Sequence, residues 1–110
     1  EWLAGPDRDT NWNEARSWVQ KLNFDGGRWR MPSIDELKTL YKKGADKRNK
    51  TPLLKTTGWW IWSSKTLYKS QSVVWCYGFD FGHTGLLDRH DSGTMRVFAV
   101  RSKKQTTDDT

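Results

Sequence analysis

Apolar residues recur at two different periods along the chain, and the change from one to the other divides it. Trp12, Ala15, Val19 and Leu22 stand three or four apart, with Trp18 beside them and Arg16, Gln20 and Lys21 directed elsewhere, which predicts an amphipathic helix from about Trp12 to Leu22. Asn11 and Glu14 have the spacing of a capping box at its start, and Asn23 to Gly27 supplies the stop. Ser33 and Glu36 repeat that spacing before a second stripe, Leu37, Leu40 and Tyr41, which predicts another short helix ending near Gly44. From Gly58 the period shortens to two and turn residues punctuate the chain, predicting strands at about 59–64, 72–81, 86–88 and 96–102.

In the second of these strands, Val73, Trp75, Tyr77, Phe79 and Phe81 share a face, and Val74, Cys76, Gly78 and Asp80 share the other; the bulkier face is expected to be the core face. Gly82 to Gly85 reads as the tight turn that follows. Trp59, Trp60 and Trp62 cannot all point inward from one strand, so Trp60 and Trp62 are assigned to the core and Trp59 to the surface or the roof of a loop. Between the two helices, "GGRWRMPSIDEL" has Trp29 and Met31 alternating inward around Arg30, and Pro32 disfavours helix at Met31. The expected core is Trp12, Trp29, Met31, Leu37, Trp62, Trp75, Phe79 and Val97. Helices first and strands afterwards is the order of an α+β domain with two short helices packed on a small twisted antiparallel sheet, not of a parallel nucleotide-binding fold.

Composition narrows the picture. A chain of 110 residues supports one domain, placed at residues 1–102, with a disordered tail at 103–110. Opening on Glu1, it reads as a piece of a longer protein, and no apolar run approaches the roughly 20 residues needed to span a bilayer. Eight Trp can carry much of a small core, since each aromatic of this size buries about 150–250 Å². The single Cys76 excludes an internal disulfide and a cysteine zinc cage.

Charge adds a partner class. Lys42, Lys43, Lys47, Arg48, Lys50 and Lys55 against Asp46 place a net +5 in fourteen residues, most of the +6 of the whole chain. Such a cluster attracts polyanions or simply solvates a loop. His83 and His90 with Asp80, Asp88 and Asp91 are the residues from which a metal site would have to be built, and Ser63, Ser64 or Ser92 the nucleophiles of a hydrolase. No phosphate-cradling loop or nucleophile elbow accompanies them, so no metal, cofactor or catalytic residue is assigned. Asn49-Lys50-Thr51 is a glycosylation sequon, relevant only in a eukaryotic secretory pathway.

The order of Asn11-Trp12, Ala15 and Leu22, then Trp29-Arg30-Met31-Pro32, Ile34 and Glu36-Leu37, then Trp62-Ser63-Ser64, Trp75, Phe79 and Gly82, and last Val97 to Arg101, resembles the C-terminal domain of the bacterial collagen-like adhesin Lcl over residues 10–102. The resemblance implies a C-type-lectin-like fold. In that pattern Val19 and Ala99 occupy the positions of a cysteine pair, so this chain is expected to replace the bridge by an apolar contact. Formylglycine-generating enzymes have a similar segment before a helix, but their oxidase chemistry needs two reactive cysteines; the sugar-binding calcium loops of animal lectins are missing too.

The resemblance further implies a loop-rich ligand face at about residues 42–72 and 83–95. Lys42, Lys43, Lys47, Arg48, Lys50, Trp59, Lys65, Tyr68, Lys69 and Arg89 are its candidate ligand-binding residues. The function expected is a non-enzymatic adhesion module, extracellular, at the bacterial cell surface or periplasmic, binding an anionic polysaccharide such as a glycosaminoglycan or another surface polymer. The alternative is a protein-interaction or structural module of a pilus, fibre or sensor ectodomain, binding a surface protein. Nucleic acid is disfavoured because no fold signature for it accompanies the charge. Any homo-oligomer would form through parts of the parent chain outside this sequence.

Overall fold

Both predicted capping boxes are closed. Asn11 Oδ1 accepts the Glu14 N–H at 2.8 Å while the Glu14 carboxylate accepts the Asn11 N–H at 2.9 Å, and α1 runs Trp12–Lys21. Ser33 and Glu36 exchange the same pair of bonds at 3.1 and 2.8 Å at the start of α2, Ile34–Lys38. The computed structural model describes residues 2–41, 59–80, 82–93 and 95–102. Helix α2 is shorter than its apolar stripe predicts. Thr39, Leu40 and Tyr41 each donate to the carbonyl three residues back, and the Thr39 hydroxyl donates to the Glu36 carbonyl at 2.6 Å, so the last turn tightens instead of propagating.

Strand β1 is Trp2–Ala4, β2 Trp60–Leu67, β3 Ser70–Gly78, β4 His83–Asp88, β5 Met95–Arg96 and β6 Phe98–Val100. The larger sheet has the order β4-β3-β2-β5. It is mixed, not antiparallel as expected: β2 pairs antiparallel with β3, but parallel with β5 through Trp60↔Met95 and Ile61↔Arg96. A second, two-stranded sheet joins β1 to β6 antiparallel, and Arg30 bridges Val100 from the other side. Buried Arg96 fastens the loop after β1 by bonds to Asp7 at 2.9 Å and Asp9 at 2.8 Å.

The chain turns back before His83, the start of β4, with Gly82 at φ +71 and its N–H donating to the Gly78 carbonyl at 3.0 Å, rather than through Gly82 to Gly85. Gly85 has a packing role inside β4: a Cβ there would lie 2.9 Å from the Trp60 ring, and one at Gly78 on β3 would lie 2.8 Å from it. The Trp60 indole thus lies across two neighbouring strands, half-buried rather than in the core where the strand alternation places it.

The sheet is covered on both sides, which changes the reading of β3. Helix α1 supplies Ala15 and Val19 to a cluster that holds Trp62, Val74 and Cys76, whereas α2 supplies Leu37 to a cluster that holds Ile61, Tyr77 and Phe79. The face expected to meet solvent therefore contains two fully buried residues, Val74 and Cys76. Of the eight expected core residues, Trp12, Met31, Leu37, Trp62, Phe79 and Val97 are buried. Trp29 and Trp75 are only half-buried. Trp29 leans on the first cluster under the Arg101 guanidinium, 4.4 Å from its ring centroid, after a run of positive φ at Gly26, Gly27 and Arg28; Trp75 belongs to neither cluster.

Trp12 and Trp62 satisfy their buried indole N–H groups on Ser63 and Thr10 carbonyls at 2.9 and 2.8 Å. Val19 and Ala99 are buried in the same cluster. Burial pushes the Cys76 thiol up to about 12, so it packs as a small hydrophobe.

Candidate functional site

Where α1 faces the β2–β3 hairpin, the surface opens into a cleft of about 590 Å³. Trp12, four residues before Arg16 on the helix, is its inner wall; Trp29 and Arg30 come from the segment before α2, Ser64 and Thr66 from β2, Gln71 from β3, and Arg89 from the turn after β4. Among the described residues, three arginines line it and no Asp, Glu, His or Cys does.

These arginines differ in how their charge is balanced. Glu36 holds Arg30 bidentately at 2.7 and 2.6 Å, and that pairing drops the Glu36 carboxyl to about 2 and raises Arg30. Arg89 is held by neutral oxygens: its Nε and Nη2 donate to Asn13 Oδ1 at 3.1 and 2.7 Å, and Nη1 donates to the Gln71 carbonyl at 3.2 Å. Neighbouring Asp88 is turned to His90, accepting its backbone N–H at 2.8 Å. Arg89 lies 4.7 Å from the centroid of the Trp12 ring and Arg16 5.6 Å from it. Two cationic groups thus stand within about 10 Å of each other, the screening length at 0.1 M salt, with no carboxylate bridging either among the described residues.

The bonds to Asn13 and Gln71 fix the direction of the Arg89 donors. With three N–H groups of Arg89 engaged, two of its five remain for a ligand. Around them stand the amides of Gln20 and Gln71, the hydroxyls of Ser64 and Thr66, and the half-buried Trp29 indole, whose N–H donates to the Phe24 carbonyl. Planar forks beside an apolar wall suit a carboxylate or sulfate carried on a ring.

Of the candidate ligand residues that the structure describes, Arg89 alone lies in this cleft. Lys42, Lys43, Lys47, Arg48 and Lys50 lie outside the described residues, as does the 103–110 tail. Trp59 packs half-buried against the second cluster, its carbonyl accepting from Phe79 N–H at 2.8 Å, so it roofs the core. Tyr68 is 83% exposed at the tip of the β2–β3 hairpin with Lys69 Nζ 5.7 Å from its ring, at the other end of an eight-residue strand from Trp59. Lys65 is exposed beside Trp75 in a separate groove. The expected grouping of Trp59 with Lys65, Tyr68 and Lys69 is therefore not formed.

The histidines pair separately, His83 with Asp80 at 3.9 Å and His90 with Asp88 at 2.9 Å. Ser63 is fully buried, its hydroxyl donating to the Trp75 carbonyl at 2.7 Å. Arg16, Gln20 and Gln71 are the residues that sequence reasoning missed. Only the four-residue step from Trp12 to Arg16 on one helix announced any of them.

No curated protein and no solved structure matches the chain. The model of one family does match, over residues 1–101 and hence through every element that builds the cleft, and the chain belongs to that family, the Lcl C-terminal domain.

Proposed function

We propose that this domain is a non-catalytic binding module of C-type-lectin-like fold, working extracellularly, at the cell surface or in the periplasm, and that its ligand is an anionic glycan or surface polymer held in the arginine cleft. The observation that carries this reading is the pair Arg16 and Arg89 gathered over one indole, Arg89 held by neutral oxygens, with no carboxylate bridging either among the described residues. The basic segment from Lys42 to Lys55 adds to the positive field that draws a polyanion in. Paired terminal strands, two helices and a long connection between α2 and β2 support the lectin-like assignment. No helix among the described residues is long and apolar enough to cross a membrane.

Heparin and polygalacturonate, with dextran as the neutral control, test the reading. Both polyanions should bind, weakening steeply as salt rises, and Arg89→Ala or Arg16→Ala should each lower affinity roughly tenfold, the worth of one charge-assisted hydrogen bond. If a Lys47, Arg48, Lys50 triple alanine variant abolishes binding while Arg89→Ala leaves it intact, the loop and not the cleft is the site. Exposed Tyr68 favours a second reading, a protein-docking module, which salt-insensitive capture of a surface protein would support.

A further inference from the structure

Trp75 stands apart from the other seven tryptophans. Trp2, Trp12, Trp18, Trp29, Trp59, Trp60 and Trp62 all belong to, or pack against, one of the two core clusters; Trp75 does neither, although it sits in the middle of β3, the central strand with the most pairing. Trp12, Trp29 and Trp62 place their indole N–H groups on backbone carbonyls, whereas Trp75 has no hydrogen-bond acceptor among the described residues. An apolar surface of this size, left half-open on a central strand with an unused donor, is not accounted for by packing.

The groove it borders has a volume of about 460 Å³, inside the roughly 300–1,000 Å³ range of small-molecule sites. Its other lining residues are Ser33, Ile34, Asp35, Ser64, Lys65 and Thr84, which bring three hydroxyls, one carboxylate and one ammonium to its walls. Ser33 Oγ already accepts the Glu36 N–H, so its own proton is available to donate. With one acid and one base, the groove is neutral, unlike the arginine cleft, from which it is reached across Ser64, a residue common to both.

We propose that this groove binds an uncharged sugar ring. A pyranose has C–H groups on its faces and hydroxyls on its rim. The faces suit the negative face of the indole quadrupole, and the rim suits hydroxyls that both donate and accept, a carboxylate that accepts two hydroxyl protons and an ammonium that donates. A sulfated or carboxylated ring would meet Asp35, whereas a purely apolar ligand would leave five polar groups unmatched. The site is independent of the polyanion reading and stands or falls separately.

The test is a titration of the nitrogen-15-labelled domain with neutral tetrasaccharides of glucose, galactose and N-acetylglucosamine, following the eight indole N–H signals, with Trp75 assigned through Trp75→Phe. At least one sugar should move the Trp75 signal at millimolar concentration, equally in low and high salt. Asp35→Asn should weaken that binding roughly tenfold with the indole intact, and Trp75→Ala should remove the response of the Thr84 amide while leaving heparin binding unchanged. If Trp75→Ala does not fold, Asp35→Asn decides alone. No shift of the Trp75 signal with any of the three sugars, a response that vanishes in high salt, or unchanged sugar affinity in Asp35→Asn would overturn the proposal.

Discussion

Glu36 shows how one side chain can serve two neighbours. Its carboxylate caps the Ser33 N–H, closing the start of α2, and grips Arg30 at the rim of the cleft. The Arg30 bonds are the main cause of its depressed titration, partial burial opposes them, and the Ser33 N–H adds to them, bringing the group from its ordinary 4.5 to about 2. Because the folded value lies below the unfolded one, the stabilisation is complete above about pH 4.5 and is lost as the pH falls from there toward 2. Solvent reaches the pair, which limits its worth, so Glu36→Gln is expected to cost about 1 kcal/mol at pH 7. Urea melts at pH 7 and pH 3 should show the gap between parent and variant closing in acid; an equal gap at both would refute the assignment.

At the scale of elements, what was legible in the sequence was local. The two capping boxes and the α1 stripe could be read because each signal lies within a few residues of what it controls. Strand β1 could not be, since three residues become a strand only by pairing with β6 almost a full chain length away. The faces of β3 were misjudged for a related reason: side-chain bulk predicts a single core face, but α1 covers Val74 and Cys76 while α2 covers Tyr77 and Phe79, and sequence period alone cannot show that a sheet is sandwiched. Glycines 82 and 85 read alike as turn residues, yet one turns the chain and the other clears space for Trp60. The cleft was the least legible feature. Its arginines come from α1, from the inter-helix segment and from the turn after β4, and Arg89 is fixed by Asn13, 76 residues away in sequence.

At the scale of the molecule, the fold contains a vacant place for a covalent link between its halves. Val19 on α1 and Ala99 on β6, which the resemblance set against a cysteine pair, are both buried in the first cluster. The double variant Val19→Cys, Ala99→Cys is expected to close a disulfide and stabilise the domain by at most roughly 4.5 kcal/mol, the chain-entropy value for so long a loop. Mispairing should not interfere, because the only native thiol, Cys76, is buried and protonated. The checks are loss of two hydrogens by mass and a higher urea midpoint that returns to the parent value under reduction; two free thiols after mild oxidation would place these residues too far apart.

The pairing of β1 with β6 also decides how the domain bears a load. Trp2 lies opposite Val100, so the chain enters and leaves at the same end of the two-stranded sheet, while Arg30 brackets Val100 on its other side. Tension applied between Trp2 and Ser102 therefore falls on one hydrogen bond at a time, and the pair should unzip rather than shear. Optical-tweezer extension with handles at those residues is expected to show a small early release at low force before the main rupture, and a single rupture without it would contradict this. Under load such a pair acts as a mechanical fuse, giving way while the twin-cored body that holds both grooves stays folded.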